Sequence, residues 1–157
     1  MRCFIEKLGW KSTFVVDAMF EPSEEGIERS VGLIQHKFAY RCIIALLKAM
    51  KNLPMEAKVR LQGFFQDMTK KGHVVGRLLH QKVYYTTPKY VLHALIEPQH
   101  GESQEDQAFR DACRKNIVDD IVNVSDLAGL VGNSEASFVV EWLLQYSMPE
   151  TYCKLTE

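Results

Sequence analysis

Residues 23–52 read SEEGIERSVGLIQHKFAYRCIIALLKAMKN, and this stretch decides the fold class. Ser23 follows Pro22 and can accept a hydrogen bond from an amide of a first helical turn. Glu24 and Glu25 then stand where a helix dipole favours negative charge. Apolar residues recur at Ile27, Val31, Ile34, Phe38, Cys42, Ala45 and Ala49. Steps of three and four mark one face of a helix. From Cys42 to Leu47 every residue is apolar, so this part is expected to be enclosed on most sides. The spacing predicts one long helix over 23–52, at the centre of the molecule.

On the N-terminal side, Thr13 to Phe20 fits a helix capped by Ser12 or Thr13, with Phe14, Val15 and Ala18 inward. Cys3-Phe4-Ile5 fits either a short strand or a helix start. On the C-terminal side, Pro54 opens a helix over Met55 to Lys70, because proline is tolerated in a first turn. Val59, Leu61, Phe64, Phe65 and Met68 form its apolar side, and Gly72 stops it. A helix over about His73 to Tyr84 carries Val75, Leu78, Leu79 and Val83. Thr87-Pro88 opens a short one with Val91, Leu92, Leu95 and Ile96, which Pro98 ends. Residues 97–104 read as a loop. Ser103-x-x-Asp106 is a weak capping box for the next helix, whose stripe is Phe109, Cys113, Ile117, Ile121 and Val124. Ser125-Asp126 restarts a short helical turn through Leu130, and Gly132-Asn133 breaks it. The last helix covers Glu135 to Tyr146, with Phe138, Trp142 and Leu143 apolar.

The expected fold is all-α: a single-domain helical bundle over 1–157, of six to seven helices around the long central one. Residues 1–12 and 149–157 are expected as loose termini. Short loops favour antiparallel neighbours. A short HEAT-like α-solenoid is the alternative, and the lack of a shared signature at a 30–47-residue period weighs against it.

Four cysteines, Cys3, Cys42, Cys113 and Cys153, form no C-x-x-C pair and read as reduced thiols of an intracellular protein in the cytoplasm or nucleus. Charges through the first twenty residues interrupt any secretory hydrophobic segment, and no apolar run approaches the roughly 20 residues that span a bilayer. No membrane association is expected. His73 and His80 would lie about 10.5 Å apart on a helix, with Arg77 between, so no metal site is expected. Asp119-Asp120 and Glu105-Asp106 point about 100° apart and do not converge. Asp120 borders the apolar stripe and is a candidate for a buried partner. No glycine-rich phosphate loop and no nucleophile elbow occur, so neither a cofactor nor enzymatic activity is expected.

The net charge of −1 conceals a division. Residues 1–47 balance. Residues 48–89 hold nine bases against two acids, and residues 97–157 hold twelve acids against four bases. The two segments either neutralise each other or face different partners.

The reading that fits best is a helical protein–protein interaction module, an adaptor, scaffold or assembly domain, with self-association as one version. Its candidate interface anchors are Trp10, Phe20, Trp142, Tyr146 and Tyr152, because Trp and Tyr often carry interface energy. The alternative is single-stranded nucleic-acid (RNA) binding through the basic segment 48–89. There Lys70, Lys71, Arg77, Lys82 and Lys89 would meet phosphates, and Tyr84, Tyr85 and Tyr90 would stack on bases. The same residues would suit an acidic protein partner.

Overall fold

The computed structural model describes residues 11–21, 23–70, 78–79, 86–123 and 127–146. Among these residues all regular structure is helical. In chain order the α-helices are α1 (Lys11–Met19), α2 (Glu24–Gln35), α3 (Tyr40–Lys48), α4 (Met55–Lys70), α5 (Thr87–Ile96), α6 (Gln104–Val122), α7 (Leu127–Val131) and α8 (Ser134–Tyr146). A 3₁₀ turn, Met50–Asn52, links α3 to Leu53. The helices pack as a bundle around one apolar core. The expected strand or helix start at 3–5, the helix over 73–84 apart from Leu78 and Leu79, and the tail from 149 lie outside the described residues. So do Val124 and the Ser125-Asp126 restart. Lys11 and Ser12, expected in a loose terminus, belong to α1.

The long helix over 23–52 is not continuous. It breaks between α2 and α3, where His36 adopts an extended backbone. The His36 Nδ1 accepts hydrogen bonds from the amides of Phe38 and Ala39, at 3.3 and 3.2 Å. The imidazole thus satisfies orphan donors of a new helical start. The break also turns Phe38 out to solvent, although its position extends the apolar stripe.

The central element is instead the short α5. It packs against α2, α3, α6 and α8. Seven of its ten residues are buried, including Val91, Leu92, Ala94, Leu95 and Ile96. The inward face of α1 is also shifted from the expected one: Val16 and Phe20 are buried, whereas Phe14 and Ala18 are exposed. Both pairs are four residues apart. Phe20 decides between them, because its ring lies 4.9 Å from that of Phe64 and 5.6 Å from that of Phe65. Phe20 is therefore a core residue and not an exposed anchor.

Pro54 precedes α4 as expected, and Leu61, Phe64, Phe65 and Met68 are buried, but Val59 faces solvent. Helix α6 buries Phe109, Cys113, Ile117 and Ile121. Alongside them it buries a polar row, Asp106, Arg110 and Arg114, at steps of four. Asp106 accepts from Lys58 at 3.1 Å and from Gln62 at 2.8 Å. Further along, Asn116 donates to Thr69 at 3.1 Å. Both helices advance together from the first contact to the second, so α4 and α6 run parallel; α5 and the segment before it lie between them in sequence. The capping box is half formed. Ser103 Oγ accepts from the Asp106 amide at 3.2 Å, but the Asp106 carboxylate turns to α4. Asp120 is only partly buried.

Arg110 is the largest fully buried side chain. Its Nε donates to the Glu102 carboxylate. Nη1 donates to the carbonyls of Ala94 and Leu95, at 2.6 and 2.9 Å, and Nη2 to that of Leu47 at 3.3 Å. One turn on, Arg114 donates twice to the Ile96 carbonyl and once to Asp111. Burial lowers the Arg114 pKa, and Asp111 partly offsets this. The last carbonyls of a helix have no partner within it and carry partial negative charge. The two guanidinium groups satisfy them for α5, and Arg110 does so for α3.

Arg110→Ala would leave the nearly buried Glu102 carboxylate and three carbonyls without these donors. Removing one partner of a buried pair costs about 3–5 kcal/mol. We expect chemical denaturation to show a loss of that size. Arg110→Lys should recover only a small part of it, because one ammonium cannot reproduce the fork of donors.

Candidate interaction site

Helix α8 carries two stripes. Ala136, Val139 and Leu143 enter the core. Phe138, Trp142 and Tyr146, four residues apart, form a second stripe that is only partly covered. Phe138 and Trp142 stack with centroids 6.0 Å apart. Trp142 also meets His93 of α5 at 4.2 Å, and Tyr146 meets His93 at 6.5 Å.

The strip continues across α5 to α3. Lys89 Nζ lies 4.7 Å from the Phe138 ring centre and 5.2 Å from that of Tyr90, so its ammonium bridges the two rings. Cation–π attraction of this kind is worth about 0.5–1 kcal/mol at exposed sites. Tyr90 stacks with Tyr40 at 6.1 Å, and Arg41 lies over Tyr40 at 5.8 Å. Phe138 is 44% exposed and Tyr90 45%. The result is a chain of rings from Tyr40 to Tyr146 with cations set between and beside them.

Lys89, Tyr90, Trp142 and Tyr146, drawn from both sets of sequence candidates, thus come together on one face. Lys70 is exposed at the C-terminal end of α4, on a different helix. Trp10, Lys71, Arg77, Lys82, Tyr84, Tyr85 and Tyr152 lie outside the described residues. Sequence reasoning missed Tyr40, His93 and the outward turn of Phe138. The spacing 138, 142, 146 could have revealed the stripe, since the α8 core stripe is complete without it.

The charge division is resolved in part. Lys58 pairs with Asp106 at 3.1 Å and Lys89 with Glu135 at 2.8 Å, both linking the basic segment to the acidic one. Arg60 pairs with Asp17 at 2.8 Å. Lys51 donates to the His100 carbonyl at 3.2 Å. Arg41, Lys48 and Lys51 line a groove of about 790 Å³ beside residues 97–100, over Ile44, Ala45 and Ala49.

Among the described residues no group of three or more His, Cys, Asp or Glu side chains could hold a metal ion. None of the described helices is long and apolar enough to cross a membrane. The Cys113 thiol is pushed up to about 12 by burial, against a smaller opposing effect of the Thr69 hydrogen bond. It is a packed thiol rather than a thiolate nucleophile at neutral pH. Comparison with family models, curated proteins and solved structures returns no match.

Two outcomes follow from these placements. Phe138→Ala should cost under about 1 kcal/mol of folding stability and Trp142→Ala about 2–3 kcal/mol, read by thermal denaturation, because only the latter ring is largely enclosed. Cys113 should resist iodoacetamide at pH 8 in the folded chain, read by peptide mass spectrometry. Its raised folded-state pKa also makes its contribution to stability complete below the usual thiol value of 9.0. That contribution is lost as the pH rises from there towards 12.

Proposed function

We propose that this chain is a non-enzymatic protein-interaction module, an adaptor or assembly domain that docks a partner on the aromatic strip of α3, α5 and α8. The run Tyr40, Tyr90, Phe138, Trp142 and Tyr146, in which Tyr90 and Phe138 are about half exposed, carries this reading. Aromatic side chains supply large contact area at low cost in conformational entropy, and Trp and Tyr dominate interface energetics. The rings are held against one another and against Lys89, so little ordering remains for a partner to impose. Self-association through the same strip is one form of the proposal.

Single-stranded RNA binding is the second reading, favoured by the pairing of Tyr90 with Lys89 and of Tyr40 with Arg41. Stacked rings beside cations suit unpaired bases and phosphates. The engagement of Lys58, Arg60 and Lys89 by carboxylates reduces the charge available for it.

Affinity capture with mass spectrometry, using the wild-type chain beside Tyr90→Ala and Phe138→Ala, tests the first reading. The variants are expected to lose partners that the wild type retains. An identical partner set, together with unchanged mass in light scattering, would refute docking on this strip. RNA binding that is strong at about 50 mM salt and collapses at 200 mM would favour the second reading.

A further inference from the structure

We propose that the groove between α1 and α4 receives an amphipathic helix of a protein partner, with basic residues flanking that helix's apolar face. This goes beyond the aromatic strip, being formed by other elements, and shares with it only the reading of the chain as an interaction module.

The groove has a volume of about 540 Å³. Phe20 and Phe64, nearly or fully buried, close its floor. One wall is a row on the outer face of α4: Met55, Val59 and Gly63, each one turn apart. Met55 is 66% exposed and Val59 60%. Two large apolar side chains left in water beside an aromatic floor mark a surface awaiting cover.

Gly63 sharpens the shape of that cover. A glycine inside a helix costs about 0.5–1 kcal/mol relative to alanine. A Cβ built on Gly63 would meet nothing within 4 Å, so no contact among the described residues requires its absence. The missing side chain leaves a notch where another backbone can come close. From Met55 to Gly63 the row spans about 12 Å, or two helical turns. Apolar groups at one-turn spacing along one wall match the i, i+4 anchors of a helix laid in a groove. No sheet edge is present among the described residues to pair with an extended peptide, and the floor rings are too buried to stack on a proline-rich one.

Charge fixes the flanks. Asp17, Glu56 and Asp67 border the groove against the single cation Arg60, and Arg60 is already paired with Asp17 at 2.8 Å. The rim is therefore net negative and complements lysine or arginine on the incoming helix.

The test is selection of a displayed library of random 16-residue peptides on the full chain of residues 1–157, followed by affinity measurement of enriched peptides. Enriched sequences are expected to carry apolar residues at i, i+3 or i+4 and i+7, flanked by Lys or Arg. Gly63→Leu fills the notch with a better helix former and should keep the melting temperature at or above wild type. It should weaken the peptides at least tenfold. Glu56→Lys with Asp67→Lys should reverse the preference towards acidic flanks. Phe138→Ala should leave these affinities unchanged, so failure of the aromatic-strip reading and failure of this one are distinguishable. Enrichment of acidic or non-helical sequences, or equal binding by Gly63→Leu, would overturn the proposal. So would self-association that Gly63→Leu abolishes, since the groove would then belong to a second copy.

Discussion

Arg110 lies inside the core with all three guanidinium nitrogens committed to acceptors. Its position follows from a constraint on small helical bundles. A helix that ends inside the protein leaves carbonyls that water cannot reach, and each must find a donor. Here α3 and α5 both end near the middle of α6, and their terminal carbonyls converge on one side chain. Glu102 then balances the charge, so the buried guanidinium is neither unpaired nor short of acceptors. The same solution recurs with smaller groups. Thr87 donates to the Ile34 carbonyl at the end of α2, and Ser30 to the Met19 carbonyl at the end of α1, at 2.9 and 2.8 Å. Donors meeting helix ends thus accompany the contacts between apolar faces at several junctions of the bundle.

This arrangement also explains the charge division. The polar row on α6 begins against α4, the centre of the basic segment. Lys58 and Gln62 meet Asp106 while Arg110 and Arg114 turn the other way, towards the ends of α3 and α5. Opposed segments in the sequence therefore become neighbours in the fold. Outside these pairs, Arg41 lies beside the Tyr40 ring of the aromatic strip, and Glu56 and Asp67 line the α1–α4 groove.

Much of the fold was legible in the sequence where a helix boundary has a chemical signature. Ser23, Pro54, Thr87-Pro88 and Ser103 each start a helix as read, and the stripe of α6 is in the expected register. The errors have a common cause. Periodicity reports which residues are apolar, not which face wins. Phe14 with Ala18 and Val16 with Phe20 both fit a helix, and only the distant rings of Phe64 and Phe65 select the second pair. The break at His36 depends on one ring nitrogen accepting two amides, a role histidine types do not advertise. The burial of Arg110 and Arg114 is not legible, because most of their acceptors are backbone carbonyls, which leave no trace in a sequence. The candidate site is half legible: the sequence marks Trp142 and Tyr146 as anchors, Tyr90 as a base contact and Lys89 as a phosphate contact, but their union on one face depends on the packing of α5 against α8.

The capping by Arg110 has a consequence for the order in which the chain acquires its structure. The Leu47 carbonyl waits for a donor 63 residues further along. At a synthesis rate of about 5–20 residues per second, that delay is roughly 3 to 13 s. During it the Leu47 carbonyl has water in place of that donor. Enclosure of that carbonyl in the core is therefore completed only once α6 has been made and Arg110 can reach it.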